Sequence, residues 1–426
     1  MIDIQFVREH ANLVKETIKK KFQAYKLKLV DEVIAKDEKW RALKTEADKL
    51  RSERNKLSRE IGEAKKAGKN PASLLQRAQS IPDEITRIET QSDALYSDIQ
   101  RIIMKLPNEM HSSVPVGKDA GENVVLKIIG KPKTLKFEVR NHAELAELLK
   151  LADFDASART SGNGFYYIQG ELALLNQALI RFALETMVKK GYTYVETPLM
   201  LRGEVINSVT DLQDVQNQIY KIEGEDLYLI GTSEHALIGR YYDTILSEKQ
   251  LPLKQTSYSM CFRKEIGSHG IDEKGLFRTH QFNKMEMVVI CKSSESMKHY
   301  NDMQKITIDM FKQLGIPIRV LAICSGDLGD LKHAQVDIEA WSPRTHSYFE
   351  VGSCSNLTDA QARRLKIRCD GSQGRYVPHT LNNTAIATSR ALVAILENYQ
   401  QKDGTVKVPT VLHKYMFGTK VLGKKK

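Results

Sequence analysis

Two successive runs of heptad-spaced residues constrain the fold of the first quarter of the chain. The seam positions of the first run are Trp40, Leu43, Ala47, Leu50, Arg54, Leu57, Ile61 and Ala64. Those of the second run are Leu74, Ala78, Ile81, Ile85, Ile88, Ser92, Leu95, Ile99, Ile102 and Leu106. Steps that alternate between three and four residues are typical of a coiled-coil seam. The turn signal GKNP at residues 68–71 separates the runs, so the pattern predicts an antiparallel helical hairpin over residues of about 35–105.

Such a hairpin buries little surface, and we expect it to project as an arm. On the pattern alone, the edge of a helical bundle and a dimerisation zipper remain alternatives. Pro82 interrupts the second run and predicts a kink or an early break. Residues 107–122 are rich in Pro, Gly, Ser and charge, which is typical of a linker. The sequence therefore predicts two domains, residues 1–110 and residues 111–426.

The charge distribution points to a polyanionic partner. The formal net charge is +11. Residues 1–70 contain nineteen Lys/Arg and twelve Asp/Glu, so most of the surplus lies in the helical region. A basic balance of this kind favours nucleic acid as the partner.

Other bulk features bear on metal binding and on location. The five cysteines form no CxxC pair, which indicates buried reduced thiols rather than a disulfide framework or a zinc site. No apolar run reaches the ~18 residues of a membrane span. The first residues, MIDIQ, lack a secretory signal, so we expect a cytoplasmic protein without membrane contact.

Periodicity in the second domain is mixed. Strand-like alternation occurs at residues 164–169, 227–230 and 285–291, and helical patterns occur near residues 143–151, 172–189, 294–314 and 388–399. Strands separated by helices and long loops predict an α+β domain with a largely antiparallel sheet.

The segment of residues 262–286, FRKEIGSHGIDEKGLFRTHQFNKME, has the strongest chemical content. Apolar ends enclose a polar middle that contains Gly267, Gly270 and Gly275, a pattern that predicts strand, loop and strand. Arg263 and Arg278 suit phosphate, because each guanidinium offers a planar fork of donors. The ring of Phe282 could stack on a purine, and Glu265 and Glu286 offer carboxylates for an amine or for base edges. On residue types alone, a surface hairpin with solvated charges remains the alternative.

Three further segments carry polar groups that suit a nucleotide and an amino acid. Residues 382–392, NNTAIATSRAL, place small residues and Arg390 at the start of an apolar helix, where the arginine can reach a terminal phosphate. Residues 231–234 read GTSE, and residues 349–356 read FEVGSCSN. Taken separately, each of these is equally compatible with ordinary packing.

Together these segments resemble the class II aminoacyl-tRNA synthetases. Residues 262–286 resemble the second signature motif of that class, and the string FRKE…GLFRTHQFNKMEM is similar to its form in the seryl-tRNA synthetase family. Residues 382–392 resemble the third motif, with Asn-Asn-Thr-Ala where the family often has Asn-Gly-Ser-Gly. Residues 191–198, GYTYVETP, follow a helix and resemble the first motif, which builds the family's dimer interface. The GTSE and FEVGSCSN segments resemble the family's T-x-E serine loop and its E-[VI]-x-S-x-S-N segment.

The resemblance implies an α+β fold, with an N-terminal antiparallel coiled-coil arm and a class II catalytic domain built on a mainly antiparallel sheet flanked by helices. It also implies residue roles. The catalytic residues would be Arg263 and Arg390. The serine site would comprise Thr232, Ser233, Glu234, Arg263, Glu286, Asn382 and Thr384. The ATP site would comprise Arg263, Lys264, Glu265, Arg278, Phe282, Glu350, Val351, Gly352, Ser353 and Arg390. Magnesium would be held by Glu350 and Ser353, with no zinc.

The implied reaction has two steps. Serine attacks the α-phosphorus of ATP to give seryl-adenylate and pyrophosphate, and the seryl group then passes to tRNA(Ser), with tRNA(Sec) as a further candidate. Arg263 would bridge the serine carboxylate and the α-phosphate, and Phe282 and Arg390 would enclose the adenine. Glu286 and Thr384 are the expected partners of the serine hydroxyl. The arm would bind tRNA, and the enzyme would be a homodimer.

Two alternatives stay open beside this interpretation. A ligase that charges a carrier protein with an amino acid would retain the catalytic motifs but lack a long arm. An inactive paralogue that binds RNA would have lost residues such as Arg263 or Arg390, and both are present.

Overall fold

A computed structural model describes residues 2–211, 217–265 and 275–424. Contacts within the chain divide it into two compact units, Met1–Glu109 and Met110–Lys426. Among the described residues, no helix is both long enough and apolar enough to cross a membrane.

The N-terminal unit is helical. Its α-helices are α1 Ile4–Glu9, α2 Ala11–Lys20, α3 Leu27–Lys66 and α4 Ala72–Ile103. Helix α3 ends where Gly68 adopts a left-handed φ of 68°, a conformation that suits glycine at a helix end. The helix begins at Leu27, upstream of the expected start of the arm near residue 35.

Helices α3 and α4 form the expected antiparallel hairpin. Cross-helix ion pairs join Lys36 to Asp98 and Arg51 to Glu89. A later residue of α3 therefore pairs with an earlier residue of α4, so the two helices run antiparallel. The seam contains two separate apolar clusters. The distal cluster comprises Ala47, Leu50, Leu57, Ile81, Ile85 and Ile88. The proximal cluster joins the hairpin to α1 and α2 through Val7, Val14, Ile18, Val30, Val33, Ile99, Ile102 and Ile103.

Of the kink or early break expected at Pro82, the break is wrong. Helix α4 continues through this residue. Pro82 has no N–H to donate, but the flanking Ile81 and Ile85 are both buried in the distal cluster. Packing of this stripe against α3 therefore outweighs the loss of one backbone hydrogen bond.

The second unit combines a large sheet with helices. Its helices are α5 His142–Leu148, α6 Phe154–Ser161, α7 Gly170–Lys189, α8 Gly203–Val209, α9 Ser233–Gly239, α10 Ser296–Leu314, α11 Ala360–Arg364 and α12 Thr388–Asn398. Its strands are β1 Val124–Ile129, β2 Ala152–Asp153, β3 Tyr167–Ile168, β4 Thr193–Tyr194, β5 Met200–Arg202, β6 Leu227–Leu229, β7 Ile245–Ser247, β8 Leu253–Phe262, β9 Gln281–Cys291, β10 Ile318–Ala322, β11 Ala334–Ser342, β12 Ser347–Asn356, β13 Arg368–Gly371, β14 Gly374–Tyr376, β15 His379–Ala387, β16 Val406–Lys407 and β17 Val421–Leu422.

Eight strands of the described residues form the main sheet, in the order β1-β10-β11-β12-β15-β9-β8-β4. All neighbouring pairs are antiparallel except β4 with β8. The predicted α+β class, with a mainly antiparallel sheet and flanking helices, is confirmed. The helical predictions near residues 143–151, 172–189, 294–314 and 388–399 correspond to α5, α7, α10 and α12.

Strand β9 shows how both faces of the sheet are covered. Met285, Met287 and Val289 belong to the largest apolar cluster, which includes residues of α7, α10 and α12. Val288 and Ile290 belong to a different cluster, which includes residues of α9. Because successive strand residues point to opposite faces, Lys284 and Glu286 share the second face with Val288. These two charged residues therefore lie on the side of the sheet that carries the candidate site.

Candidate active site

The predicted site residues converge on one face of the sheet. A cavity of about 480 Å³ and a smaller adjoining pocket share Arg263, Arg278, Glu350 and Arg390 in their walls. The cavity and the pocket are also lined by Thr232, Glu234, Glu265, Phe282, Glu286, Val351, Gly352, Ser353, Asn382 and Thr384. The structure does not bring two predicted residues into these walls. Ser233 is buried and donates to the carbonyl of Ser257, and the Lys264 ammonium lies over the Tyr220 ring.

The loop between strands β8 and β9 is only partly described. The expected strands are confirmed, because Phe262 at the end of β8 pairs with Gln281 at the start of β9. The predicted loop glycines Gly267 and Gly270 lie outside the described residues. Arg278 approaches Glu265, with 3.7 Å between guanidinium and carboxylate, so the two ends of the segment meet across the loop.

Glu286 is the most deeply buried charged group of the cavity wall. Only 1% of its surface is exposed, and its carboxylate makes a very short contact with the Lys284 ammonium. The Thr232 hydroxyl also donates to it, at 3.1 Å. Thr384 lies directly opposite Glu286 in the register of β15 and β9. The two residues expected to recognise the serine hydroxyl are therefore cross-strand neighbours.

Glu234 stands at the start of helix α9, where Thr232 caps the helix and accepts from the Glu234 N–H at 3.3 Å. The Glu234 carboxylate accepts from Gln361 Nε2 at 2.8 Å. Burial and then the nearby Glu286 carboxylate raise the pKa of Glu234 to about 7. Two carboxylates so close to each other make the cavity favourable for a cationic group such as an ammonium.

Sequence reasoning missed His235, which follows Glu234 and lines the larger cavity. Its Nε2 lies 3.2 Å from the Thr210 hydroxyl. Burial, aided by Arg263 and Lys284, lowers the pKa of His235 to about 3, which keeps the imidazole neutral. A histidine beside the T-x-E residues was visible in the sequence, but nothing there indicated its burial.

Arg263 and Arg390 each lie over an aromatic ring. The Arg263 guanidinium is 5.4 Å from the Phe282 centroid, and its Nε donates to the Gly231 carbonyl at 3.2 Å. Arg390 lies 5.2 Å from the centroid of Phe277, a residue that the sequence did not single out as part of the site. Cation–π contact of this kind helps to hold a guanidinium at the cavity wall. The adenine position between Phe282 and Arg390 stays a prediction.

Glu350 links strand β12 to Arg390. Arg390 Nη1 donates to the Glu350 carbonyl at 2.7 Å and to its carboxylate at 3.2 Å. Burial favours a higher pKa, but Arg390, Arg263 and Lys332 outweigh it and hold the pKa of Glu350 below its usual value. The carboxylate is therefore ionised beside two guanidiniums, in a region of the cavity rich in positive charge.

Glu350 and Ser353 offer oxygen donors on the same strand. Asp337, which sequence reasoning also missed, lies directly opposite Ser353 on β11 and lines the same cavity. Magnesium takes hard oxygen ligands and keeps several waters, so one or two protein carboxylates beside substrate phosphates suffice. Within residues 2–211, 217–265 and 275–424, no three His, Cys, Asp or Glu side chains form a metal-ligand cluster. The donor set fits a magnesium that is shared with a nucleotide.

Gly352 lies in the wall of the smaller pocket, beside strand β15 and helix α10. A Cβ added to Gly352 would lie 3.4 Å from the Thr384 carbonyl and 3.5 Å from Thr307 Cγ2. Both distances are close to ordinary van der Waals contact, so a Cβ atom fits at this position.

Comparisons with known proteins agree on the family. Residues 1–110 match the model of the seryl-tRNA synthetase N-terminal domain, and residues 218–399 match that of the tRNA synthetase class II core domain for G, H, P, S and T. A serine–tRNA ligase from Methanocella arvoryzae is 47% identical, covering 99% of this chain and 100% of the relative. One from Pyrococcus furiosus is 44% identical, covering 97% and 96%.

Solved structures give the same result. Seryl-tRNA synthetase from Pyrococcus horikoshii complexed with ATP superposes with a TM-score of 0.94 at 42% identity and covers 99% of both chains. Cytoplasmic serine–tRNA ligase from Naegleria fowleri in complex with AMP gives a TM-score of 0.89 at 30% identity, covering 99% of this chain and 98% of that one. With its helical N-terminal unit, its antiparallel sheet and these full-length relatives, the chain belongs to the seryl-tRNA synthetase family of class II aminoacyl-tRNA synthetases.

Proposed function

We propose that this chain is a serine–tRNA ligase that activates L-serine with ATP and transfers the seryl group to tRNA(Ser). The observation that carries the proposal is the convergence of Arg263, Glu286, Glu350 and Arg390, from separate strands and a helix start, on one cavity. The ATP and AMP complexes of its structural relatives support a nucleotide at this site. A long arm, which a carrier-protein ligase lacks, favours tRNA as the acceptor.

In this proposal the protein acts mainly by positioning and by charge. Arg263 holds the serine carboxylate against the α-phosphate, and Arg390 holds the γ-phosphate. Glu350 and Ser353 hold magnesium, which offsets negative charge on the phosphates when it is bound. Glu234 and Thr232 receive the serine ammonium. Lys264 and Ser233, which lie off the cavity, have the least support among the predicted contacts.

Serine selection is assigned to Glu286 and Thr384. A site with buried partners for a hydroxyl rejects analogues that lack it, because those partners would be left unpaired. Glu286 is fixed by Lys284 and Thr232, so it cannot turn away to water when alanine binds. Threonine would place its additional methyl group against the same wall.

The proposal extends to partners and location. Recognition through the arm, outside the anticodon, would admit tRNA(Sec) as a second substrate. A homodimer is proposed because residues 191–198 resemble the first class II motif. The cytoplasmic location expected from the sequence remains part of the proposal.

Replacing Arg263 with lysine should impair activation selectively. Lysine keeps the charge but loses the planar fork and the guanidinium contact with Phe282. We expect serine-dependent ATP–pyrophosphate exchange to fall at least about 100-fold. The matched control is Arg375→Lys, at an exposed arginine outside the cavity that pairs with Asp370 at 2.8 Å. Equal losses in the two variants would contradict the role of Arg263.

Serine use should depend on the ionisation of Glu234. The pKa of Glu234 is raised to about 7, and only the ionised carboxylate attracts an ammonium. The value of kcat/KM for serine should therefore rise as the pH increases through about 7 and fall as Glu234 takes up a proton below it. In Glu234→Gln this inflection should vanish, with lower kcat/KM throughout. The same inflection in the variant would assign it to another group.

Shortening the arm should separate the two steps. In this variant a short glycine–serine loop replaces residues 43–92. The replaced segment contains the distal cluster, and the buried residues of the proximal cluster lie outside it. We expect serine-dependent exchange to stay within about twofold and tRNA(Ser) charging to fall at least about 100-fold, because the basic outer face of the arm supplies phosphate contacts. Retained charging would refute the role of the arm.

A further inference from the structure

The turn between helices α2 and α3 has an unusual surface. Phe22 and Tyr25 are 53% and 68% exposed. Residues 19–28, KKKFQAYKLK, contain five lysines and no acidic residue. Lys19, Lys20 and Lys28 of the same segment are exposed. We call residues 19–28 the aromatic turn.

Phe22 is held outward by a strained backbone. It adopts a left-handed φ of 58°. The Gln23 N–H donates to the Ile18 carbonyl at 3.0 Å, and the Phe22 N–H donates to the Lys19 carbonyl at 2.9 Å. This is the Schellman pattern, in which the left-handed position is normally glycine. A phenylalanine there costs backbone free energy, and its exposed ring recovers little of that cost by burial in the protein.

The aromatic turn is also rigidly supported. Ile18 and Val30, on either side of it, are fully buried in the proximal cluster. The Lys26 N–H donates to the Gln23 carbonyl at 2.8 Å, and a short 3₁₀ turn spans Ala24–Lys26. The Lys26 ammonium lies 5.8 Å from the Tyr25 centroid. Both rings are therefore presented on a fixed base, so a ligand that stacks on them does not have to order the turn.

From this arrangement we propose that the aromatic turn binds unpaired nucleotides of the tRNA, with bases stacked on Phe22 and Tyr25 and phosphates beside the exposed lysines. Rings interleaved with lysines suit single-stranded RNA, because every base has a face that can stack and every linkage carries a charge. An acidic protein partner would use the lysines but not two outward rings. The proposal rests on the proposed function, since it adds a second tRNA contact to that of the arm.

The test uses the full chain and measures Kd for a tRNA(Ser) transcript, for a single-stranded RNA oligonucleotide and for an RNA duplex of the same length. Phe22→Leu and Tyr25→Leu keep apolar bulk but remove the rings. We expect each to weaken binding of tRNA(Ser) and of the single strand by about fivefold or more, with binding of the duplex nearly unchanged. Phe22→Trp should restore affinity.

Phe22→Gly separates binding from folding. Glycine suits the left-handed position, so the melting temperature should equal or exceed that of the unaltered protein while RNA affinity falls. A matched control is Leu13→Ala, at a 40% exposed apolar residue of α2, which should leave every Kd unchanged. Replacing Lys19, Lys20 and Lys28 with glutamine should weaken all three RNAs and reduce the salt dependence of binding.

The outcomes distinguish this proposal from the proposed function. If the unaltered protein charges tRNA(Ser) but the ring variants bind both tRNA(Ser) and the single strand with unaltered Kd, the aromatic turn is not a nucleotide site. Equal losses for single strand and duplex would also overturn it, because stacking requires unpaired bases. If the ring variants lose single-strand binding but the unaltered protein does not charge tRNA(Ser), the proposed function fails and the turn remains a single-strand RNA site for another RNA.

Discussion

The buried contact among Lys284, Glu286 and Thr232 is the constraint on which the candidate site depends. Removing one member of a buried charge pair typically costs about 3–5 kcal/mol, because the remaining charge is left without a partner. Successive side chains of strand β9 point to opposite faces of the sheet. Met285 and Met287 pack in the large apolar cluster, and Lys284 and Glu286 face the cavity. Burial and then the nearby Glu286 carboxylate raise the pKa of Glu234, so the position of Glu286 also bears on its neighbour in the cavity. The same strand thus builds the core and sets the electrostatics of the cavity.

Much of this arrangement was predictable from sequence because it follows from local periodicity. Hydrophobic periodicity in the sequence indicated the hairpin, the paired strands around the partly described loop and the main helices. The convergence of Arg263, Glu286, Glu350 and Arg390 was expected from the family resemblance. What could not be predicted depends on packing and register. Asp337 enters the site because β11 lies beside β12, and no local pattern indicates which residue will oppose Ser353. The continuity of α4 through Pro82 was missed for a similar reason, since packing against α3 decides it.

The N-terminal unit has only a small apolar interior. A two-helix hairpin has a narrow seam, and its interior is divided into a distal and a proximal apolar cluster. The proximal cluster gains support from polar contacts: the buried Asp37 carboxylate accepts from Arg8 and Arg41, both at 2.9 Å. Residues 1–70 carry nineteen Lys/Arg against twelve Asp/Glu, a surplus that favours a polyanionic partner. This separation of a small core from a large basic surface agrees with a unit whose task is binding rather than chemistry.

The proposed role of the cavity is to select serine through buried polar partners. The most direct measurement is ATP–pyrophosphate exchange by the full chain with each of the standard amino acids in turn. We expect exchange with serine, and rejection of alanine by about 10⁴-fold in kcat/KM, because alanine would leave Glu286 and Thr384 without a hydroxyl to pair with. Exchange that is fastest with another amino acid, or absent with all of them, would contradict it.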